Sequence, residues 1–175
     1  YQRAGFVDDL KKVGNKYTLS IDENLTSLVK TCSTYFLFYD GNKYMVTMPN
    51  VYKTDEFETA YTYDGNDLGA TWSEDSTVFR VWAPTAETVD VRIYDNGEST
   101  RYIDEFPMTK GDNGTWVTTL EGDWKGAYYT YRVNVNGEYV EACDPYARTT
   151  GVNGKYAMVI DLDSTDPEGW ENDVS

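Results

Sequence analysis

Two runs of strand-forming residues meet at the dipeptide Asn136-Gly137, which is the strongest short hairpin signal in the chain. Residues 128–135 precede this dipeptide and residues 138–142 follow it. Asn and Gly both tolerate a positive φ, so the pair favours a two-residue turn whose twist matches that of the flanking strands. The sequence therefore predicts an antiparallel hairpin at this point, and a chain rich in such units is expected to be all-β.

Short strands separated by turns recur along the chain on the N-terminal side of this hairpin and after it. Alternating side chains over residues 77–82 predict a half-buried strand, and Pro84 ends it because proline has no ladder donor. Further strands are predicted over residues 89–94, 115–120 and 156–161. The last run is nearly all apolar, so we expect it to be central in its sheet. Regular short strands of this kind predict an antiparallel, immunoglobulin-like β-sandwich.

The 175 residues are enough for two small domains, and we expect two antiparallel β-sandwiches. Residues 1–58 are predicted to form a small N-terminal β domain, with strand-like runs at 16–21, 34–39 and 43–48. The polar, acidic stretch 53–62 is interpreted as the connector. Residues 59–170 are predicted to form the larger sandwich, and residues 171–175 to begin a linker.

Charge and composition narrow the classes of partner. Thirty acidic and fifteen basic residues give a formal net charge of −15, which would repel phosphate backbones and anionic lipid surfaces. We therefore expect neither nucleic acid nor a membrane as partner, and the sequence has no apolar run long enough to span a bilayer. The chain has no histidine, which excludes Ser-His-Asp and Cys-His catalysis and His-ligated metals, and no cofactor is implied. Cys32 and Cys143 are more simply read as free buried thiols than as a pair.

Several short motifs occur in a fixed order, and the ordered series is far more specific than any single motif. They lie at residues 61–72, 79–86, 126–131, 144–147, 152–154 and 165–170. The segments Phe79-Arg80-Val81-Trp82-Ala83-Pro84 and Asp144-Pro145-Tyr146-Ala147 are two of them. This series resembles the N-terminal region of type I pullulanases, which are starch-debranching enzymes of the α-amylase family. The resemblance implies a carbohydrate-binding module of family 48 over most of residues 50–170.

In that family a separate barrel hydrolyses α-1,6 branch points of pullulan and starch with two carboxyl groups. The barrel motif Tyr-Asn-Trp-Gly-Tyr-Asp-Pro does not occur here, so we assign no catalytic residue. The resemblance implies a non-catalytic N-terminal fragment, in which residues 171–175 lead to a catalytic barrel that the chain lacks. Its expected partners are that barrel, on which it would pack, and an α-glucan such as starch, glycogen or pullulan, bound weakly. The low isoelectric point favours an extracellular or cell-surface bacterial parent.

Glycogen-binding relatives carry Tyr-Lys on one strand and Gly-x-Trp on the next hairpin arm. The matching segments here are Tyr131-Arg132 and Gly137-Glu138-Tyr139. The resemblance implies that Arg132 donates hydrogen bonds to sugar hydroxyls and that Tyr139 stacks on a sugar ring, with Tyr131 beside them. A second tryptophan of those relatives has no counterpart in this sequence. Trp124 is a further candidate, because it lies on a turn and binding residues concentrate on loops.

Three readings of function stay open on the sequence alone. The first is the debranching-enzyme fragment; the second is a purely structural pair of immunoglobulin-like domains with no sugar affinity; the third, a small enzyme, is remote. A structural alternative for Arg132 and Tyr139 is that they pack against the missing barrel rather than on a sugar. We also expect an exposed aromatic surface near residues 128–131 and 144–147, where tyrosines are densest.

Overall fold

The computed structural model describes residues 9–14, 16–20, 36–46, 51–135, 137–162 and 164. The chain divides into two compact units, Tyr1–Tyr61 and Thr62–Ser175. Their strands form small antiparallel sheets, so the predicted all-β fold class is confirmed. The domain limits predicted from the sequence stay a prediction. No helix in the described part of the chain is long and apolar enough to cross a bilayer.

Two β-hairpins make up most of the described N-terminal unit. Strand β1 (Asp9–Val13) pairs with β2 (Lys16–Ser20), and β3 (Phe36–Tyr39) pairs with β4 (Asn42–Met45). Asp40 and Gly41 join β3 to β4 with φ values of 48° and 71°. Consecutive positive φ angles are those of a type I′ turn, which joins two of the strand-like runs predicted from the sequence into a hairpin.

The acidic stretch predicted to be a connector contains a helix, which the sequence analysis did not predict. Helix α1 (Asp55–Tyr61) begins after Thr54, whose hydroxyl accepts a hydrogen bond from the Phe57 amide at 3.2 Å. Its acidic side chains lie in the first turn, where they complement the helix dipole. The helix also carries the apolar residues Phe57 and Tyr61, which are buried and whose rings lie 4.8 Å apart.

The C-terminal unit contains two antiparallel sheets. The four-stranded sheet has the order β5 (Gly69–Trp72), β6 (Ser76–Trp82), β10 (Thr115–Glu121), β9 (Thr109–Lys110). The other has the order β12 (Glu138–Ala142), β11 (Tyr128–Val135), β7 (Thr88–Tyr94), β8 (Asp104–Pro107), with β13 (Ala157–Met158) paired to β11. The hairpin predicted around Gly137, with its φ of 81°, is confirmed; Asn136 lies outside the described residues.

The two sheets share one apolar core. Phe79 of β6 and Tyr129 of β11 meet edge to face, with ring centroids 5.0 Å apart. Burial alternates along β6, where Thr77, Phe79 and Val81 are buried and the residues between them are half-exposed. This is the pattern of a strand with one face in a core and one outside. Trp116 of β10 is also buried.

The apolar run at 156–161 is a strand over two residues only, so the predicted central strand is wrong. β13 pairs with Tyr128 and Tyr129 at one end of β11. The neighbouring backbone groups bond elsewhere: the Met158 amide donates to the Thr149 carbonyl, and the Gly151 amide to the Tyr156 carbonyl. Tyr156, Ala157 and Val159 are still buried, and the last two belong to the core.

The exposed aromatic surface expected near residues 128–131 and 144–147 is not there. Tyr129 is 1% exposed, and its hydroxyl donates to the Asp144 carboxylate at 2.7 Å. The same carboxylate accepts the Tyr146 amide at 2.8 Å and so holds the corner that contains Pro145. Burial raises the pKa of Asp144. Tyr129 is therefore a core residue whose hydroxyl donates a hydrogen bond to the buried Asp144 carboxylate. Cys143, beside them, carries a free, half-buried thiol, and Cys32 lies outside the described residues.

Candidate functional site

The candidate site lies on the face of the five-stranded sheet that points away from the core, called here the outer face. Residues directly opposite each other in an antiparallel pair share one face. Arg132 of β11 lies opposite Asp90 of β7 and Glu141 of β12. On the next strand Arg92 lies opposite Glu105 of β8. The register of four strands thus collects two arginines and three carboxylates on this face.

Arg132 and Tyr139, both predicted as sugar-binding residues, are brought together here. The Arg132 guanidinium carbon lies 3.8 Å from the centroid of the Tyr139 ring, while 53% of Tyr139 remains exposed. The guanidinium also lies 3.5 Å from Glu105 and 3.9 Å from Asp90. Because these carboxylates hold the planar Arg132 guanidinium in place, they also fix the position of the Tyr139 ring that packs on it.

Tyr102 forms a second pair of the same kind with Arg92, and the sequence analysis missed it. The Arg92 guanidinium carbon lies 4.4 Å from the Tyr102 ring centroid, and Tyr102 is 45% exposed. Arg92 is held in turn by Glu105 at 2.5 Å and by Glu141 at 2.6 Å. Tyr102 lies in the loop between β7 and β8, where no periodic pattern marks it. The only signal is an aromatic residue in an otherwise polar loop.

Hydrogen bonds keep this network ionised. Burial alone would raise the pKa of Glu141, but donation from Tyr94, Thr130 and Arg92 outweighs burial and lowers that pKa below its usual value. Burial and the bond to Glu141 raise the pKa of Tyr94 to about 12. The two carboxylates on Arg92 outweigh its burial and raise the guanidinium pKa. At neutral pH the outer face therefore carries fixed, mutually compensated charges.

The other two predicted site residues lie elsewhere. Tyr131 is 2% exposed, on the core-facing side of β11, and burial together with the Asp144 carboxylate raises its pKa. Trp124 is half-buried against the core; its indole donates to the Glu121 carbonyl at 3.0 Å, and its ring meets Phe106 at 6.1 Å. The structure thus separates the four residues into an exposed pair and a pair against the core. Whether any of them binds sugar stays a prediction.

The exposed pairs have the chemistry of a surface for neutral, hydroxyl-bearing rings. A tyrosine face offers apolar area to the C–H groups of a pyranose, and guanidinium N–H groups offer charge-assisted donors to its hydroxyls. Glu105 contacts both arginines, so the two pairs form one connected unit. The arrangement is suited to binding rings of this kind.

Two antiparallel sheets on one core, with a polar and aromatic outer face, define an immunoglobulin-like β-sandwich module. Residues 67–147 match the family model described as carbohydrate-binding module 48, the isoamylase N-terminal domain. The predicted resemblance to the N-terminal, module-bearing region of type I pullulanases is confirmed, and the match to the family model lies within the sandwich.

The chain is similar to pullulanases from a plant and from bacteria. It is 39% identical over 124 residues to Pullulanase 1, chloroplastic, of Arabidopsis thaliana, covering 64% of this chain and 12% of that protein. It is 35% identical to the Pullulanase of Bacillus subtilis, covering 69% of this chain and 16% of that protein. The chain therefore spans less than a fifth of the length of these two curated relatives.

Solved pullulanase structures share its fold. One from Anoxybacillus sp. LM18-11 superimposes with a TM-score of 0.77 at 30% identity, over 92% of this chain and 23% of that one. Another, from Paenibacillus barengoltzii, was solved in complex with maltohexaose and α-cyclodextrin. It gives a TM-score of 0.65 at 45% identity, over 69% of this chain and 19% of that one.

Proposed function

We propose that the outer face binds α-glucan weakly and that the chain acts as a non-catalytic module of a pullulanase-type debranching enzyme. The observation that carries the proposal is the half-exposed Tyr139 ring stacked on Arg132, at the positions where glycogen-binding relatives carry Trp and Lys. Tyr102 on Arg92 supplies a second ring on the same face. The Paenibacillus barengoltzii pullulanase, a structural neighbour, binds maltohexaose and α-cyclodextrin, which supports an α-glucan as the ligand class.

The expected affinity is low for two reasons. Tyrosine offers a smaller stacking face than tryptophan. The arginine donors are already engaged by Glu105, Asp90 and Glu141, so a sugar must share or replace those contacts. A dissociation constant on the order of millimolar, or about −4 kcal/mol, fits such a site.

In the whole protein, the chemistry would be hydrolysis of α-1,6 bonds in starch or pullulan by a separate catalytic barrel. The support is the similarity to pullulanases, of which this chain covers 12% to 16% of the curated sequences and about a fifth of the solved chains. The module would pack on that barrel and help to hold the polymer beside it. No residue of this chain is assigned a step in the hydrolysis.

A second function is favoured by one specific observation. Both arginines on the outer face are neutralised within the module, as in a face built only for rigidity. A purely structural immunoglobulin-like domain pair with no sugar affinity would have this property too. The two functions differ in whether the exposed tyrosines matter to glucan.

Affinity electrophoresis in gels containing amylopectin distinguishes α-glucan binding from a purely structural role. We expect amylopectin to retard the wild-type chain and to retard Tyr139→Ala less. Tyr52→Ala is the matched control, because Tyr52 is 54% exposed but lies in the N-terminal unit. Equal mobility of wild type and Tyr139→Ala at every amylopectin concentration would favour the structural function.

A further inference from the structure

A polar cleft of about 270 Å³ opens on the outer face, and the proposed function makes no use of it. Its walls include Thr100, Thr130, Glu141, Cys143, Lys155 and Tyr156. The volume equals that of about nine waters in the liquid. It is below the range of about 300–1,000 Å³ typical of sites for drug-sized ligands, so it suits one small ring.

The cleft presents both kinds of hydrogen-bonding group. Glu141 supplies acceptor oxygens and is held by the Thr130 hydroxyl at 2.8 Å and by the Tyr94 hydroxyl. Lys155 supplies an ammonium on the wall, 4.8 Å from the centroid of the Tyr156 ring. Among the described residues no carboxylate lies within ion-pair distance of this ammonium, so its donors are available. Tyr156 itself is only 2% exposed, so the cleft offers hydrogen-bonding groups rather than a stacking face. An acceptor and a donor side by side match a neutral polyhydroxylated ring.

The cleft is continuous with the two arginine–tyrosine pairs. Glu141 lines the cleft and also accepts a hydrogen bond from Arg92 at 2.6 Å. Arg92 carries Tyr102 on its face. One side chain, Glu141, thus connects the cleft to the stacking surface. Thr100, which lines the cleft, also lies in the same loop as Tyr102, two residues before it.

We propose that the cleft takes one pyranose ring of an α-glucan whose neighbouring rings lie on Tyr102 and Tyr139. The inference rests on the proposed function, because it extends the same outer face by a third subsite. Lys155 and Thr100 donate to the hydroxyls of this ring, and Glu141 accepts from them.

Protection of the Cys143 thiol tests this subsite, because Cys143 lines the cleft. The alkylation rate by N-ethylmaleimide is measured at one fixed pH, with and without saturating maltoheptaose. Peptide mass mapping distinguishes Cys143 from Cys32. We expect maltoheptaose to slow Cys143 alkylation several-fold in the wild type and far less in the double variant Thr100→Ala/Lys155→Ala. Lys110→Ala is the matched control, since Lys110 also lies over an aromatic ring, that of Trp116, but on the other sheet.

Nuclear magnetic resonance titration of the same samples distinguishes failure of the third subsite from failure of the proposed α-glucan binding. Maltoheptaose-induced shifts at Tyr102 and Tyr139 with an unchanged Cys143 alkylation rate would overturn the third subsite and leave the proposed function standing. Equal protection in the wild type and the double variant would also overturn it. Absence of shifts at all outer-face residues would overturn the proposed function itself.

Discussion

The Arg132 guanidinium and the Tyr139 ring lie 3.8 Å apart on neighbouring strands, and the hairpin register places them there. Tyr139 is opposite Asn134, two residues along β11 from Arg132. Diagonal neighbours on one face of an antiparallel pair are within reach of long and aromatic side chains. Glu105 and Asp90 hold the guanidinium from its other edge. The Tyr139 ring is therefore supported before any ligand arrives.

Replacing Arg132 by lysine should weaken glucan binding although the charge is kept. A lysine ammonium lacks the planar surface that supports the Tyr139 ring, and it cannot contact the ring and two carboxylates at once. We expect maltoheptaose affinity to fall about 3- to 10-fold, on the scale of a cation–π contact of about 1 kcal/mol. Titration followed by nuclear magnetic resonance measures it. Unchanged affinity in Arg132→Lys would show that the support of Tyr139 is irrelevant to binding.

Removing the Tyr102 ring should have a similar effect. Tyr102→Ala is expected to lower maltoheptaose affinity about 3- to 10-fold, since an aromatic stacking contact contributes about 0.5–1.5 kcal/mol. Ile103→Ala is the control, because Ile103 is the next residue in the same loop and is 61% exposed. If both variants bind like the wild type, Tyr102 is not a sugar-stacking residue.

Gly69→Ala should destabilise the sandwich. Gly69 has a φ of 106°, and a Cβ atom there would lie 3.1 Å from the Tyr146 carbonyl oxygen. We expect a loss of about 1–3 kcal/mol in the free energy of unfolding, measured by urea denaturation. Gly122→Ala is the matched control, with a φ of 97° but no atom within 4 Å of the added carbon. A loss no larger in Gly69→Ala than in Gly122→Ala would rule out a steric role for the Tyr146 carbonyl.

The lowered pKa of Glu141 predicts how acid affects stability. Because the pKa is lower in the folded chain, ionised Glu141 contributes stability above the ordinary value of 4.5 and loses it as pH falls through the folded value. The stability difference between wild type and Glu141→Gln should therefore be larger at pH 6 than at pH 3. Urea denaturation at both pH values measures it. A difference that is the same at both would mean that Glu141 has no shifted titration.

The sequence predicted the parts of the fold that local rules determine. Alternation located β6, β7, β10 and β11, and Gly137 located the hairpin that aligns Arg132 with Tyr139. Strands β5, β8 and β9 carry no such pattern, and they exist because longer neighbours pair with them. These are tertiary effects that no local window contains.

The candidate site also contains residues that local sequence patterns predict and residues that only the tertiary structure brings together. Arg132 and Tyr139 were predictable because one hairpin holds both. Tyr102 was not, because its partner Arg92 belongs to a strand and the tyrosine to an unpatterned loop. The burial of Tyr131 follows from strand alternation, since Arg132 beside it points outward.

The central claim is that exposed tyrosines on the outer face bind α-glucan. The most direct measurement is a maltoheptaose titration of the wild-type chain to about 10 mM, followed by nuclear magnetic resonance and repeated with Tyr139→Ala. We predict saturable shifts at Arg132, Tyr139 and Tyr102 with a dissociation constant on the order of millimolar, much reduced in Tyr139→Ala. No shifts in the wild type over this range, or identical titrations of the two chains, would contradict the account.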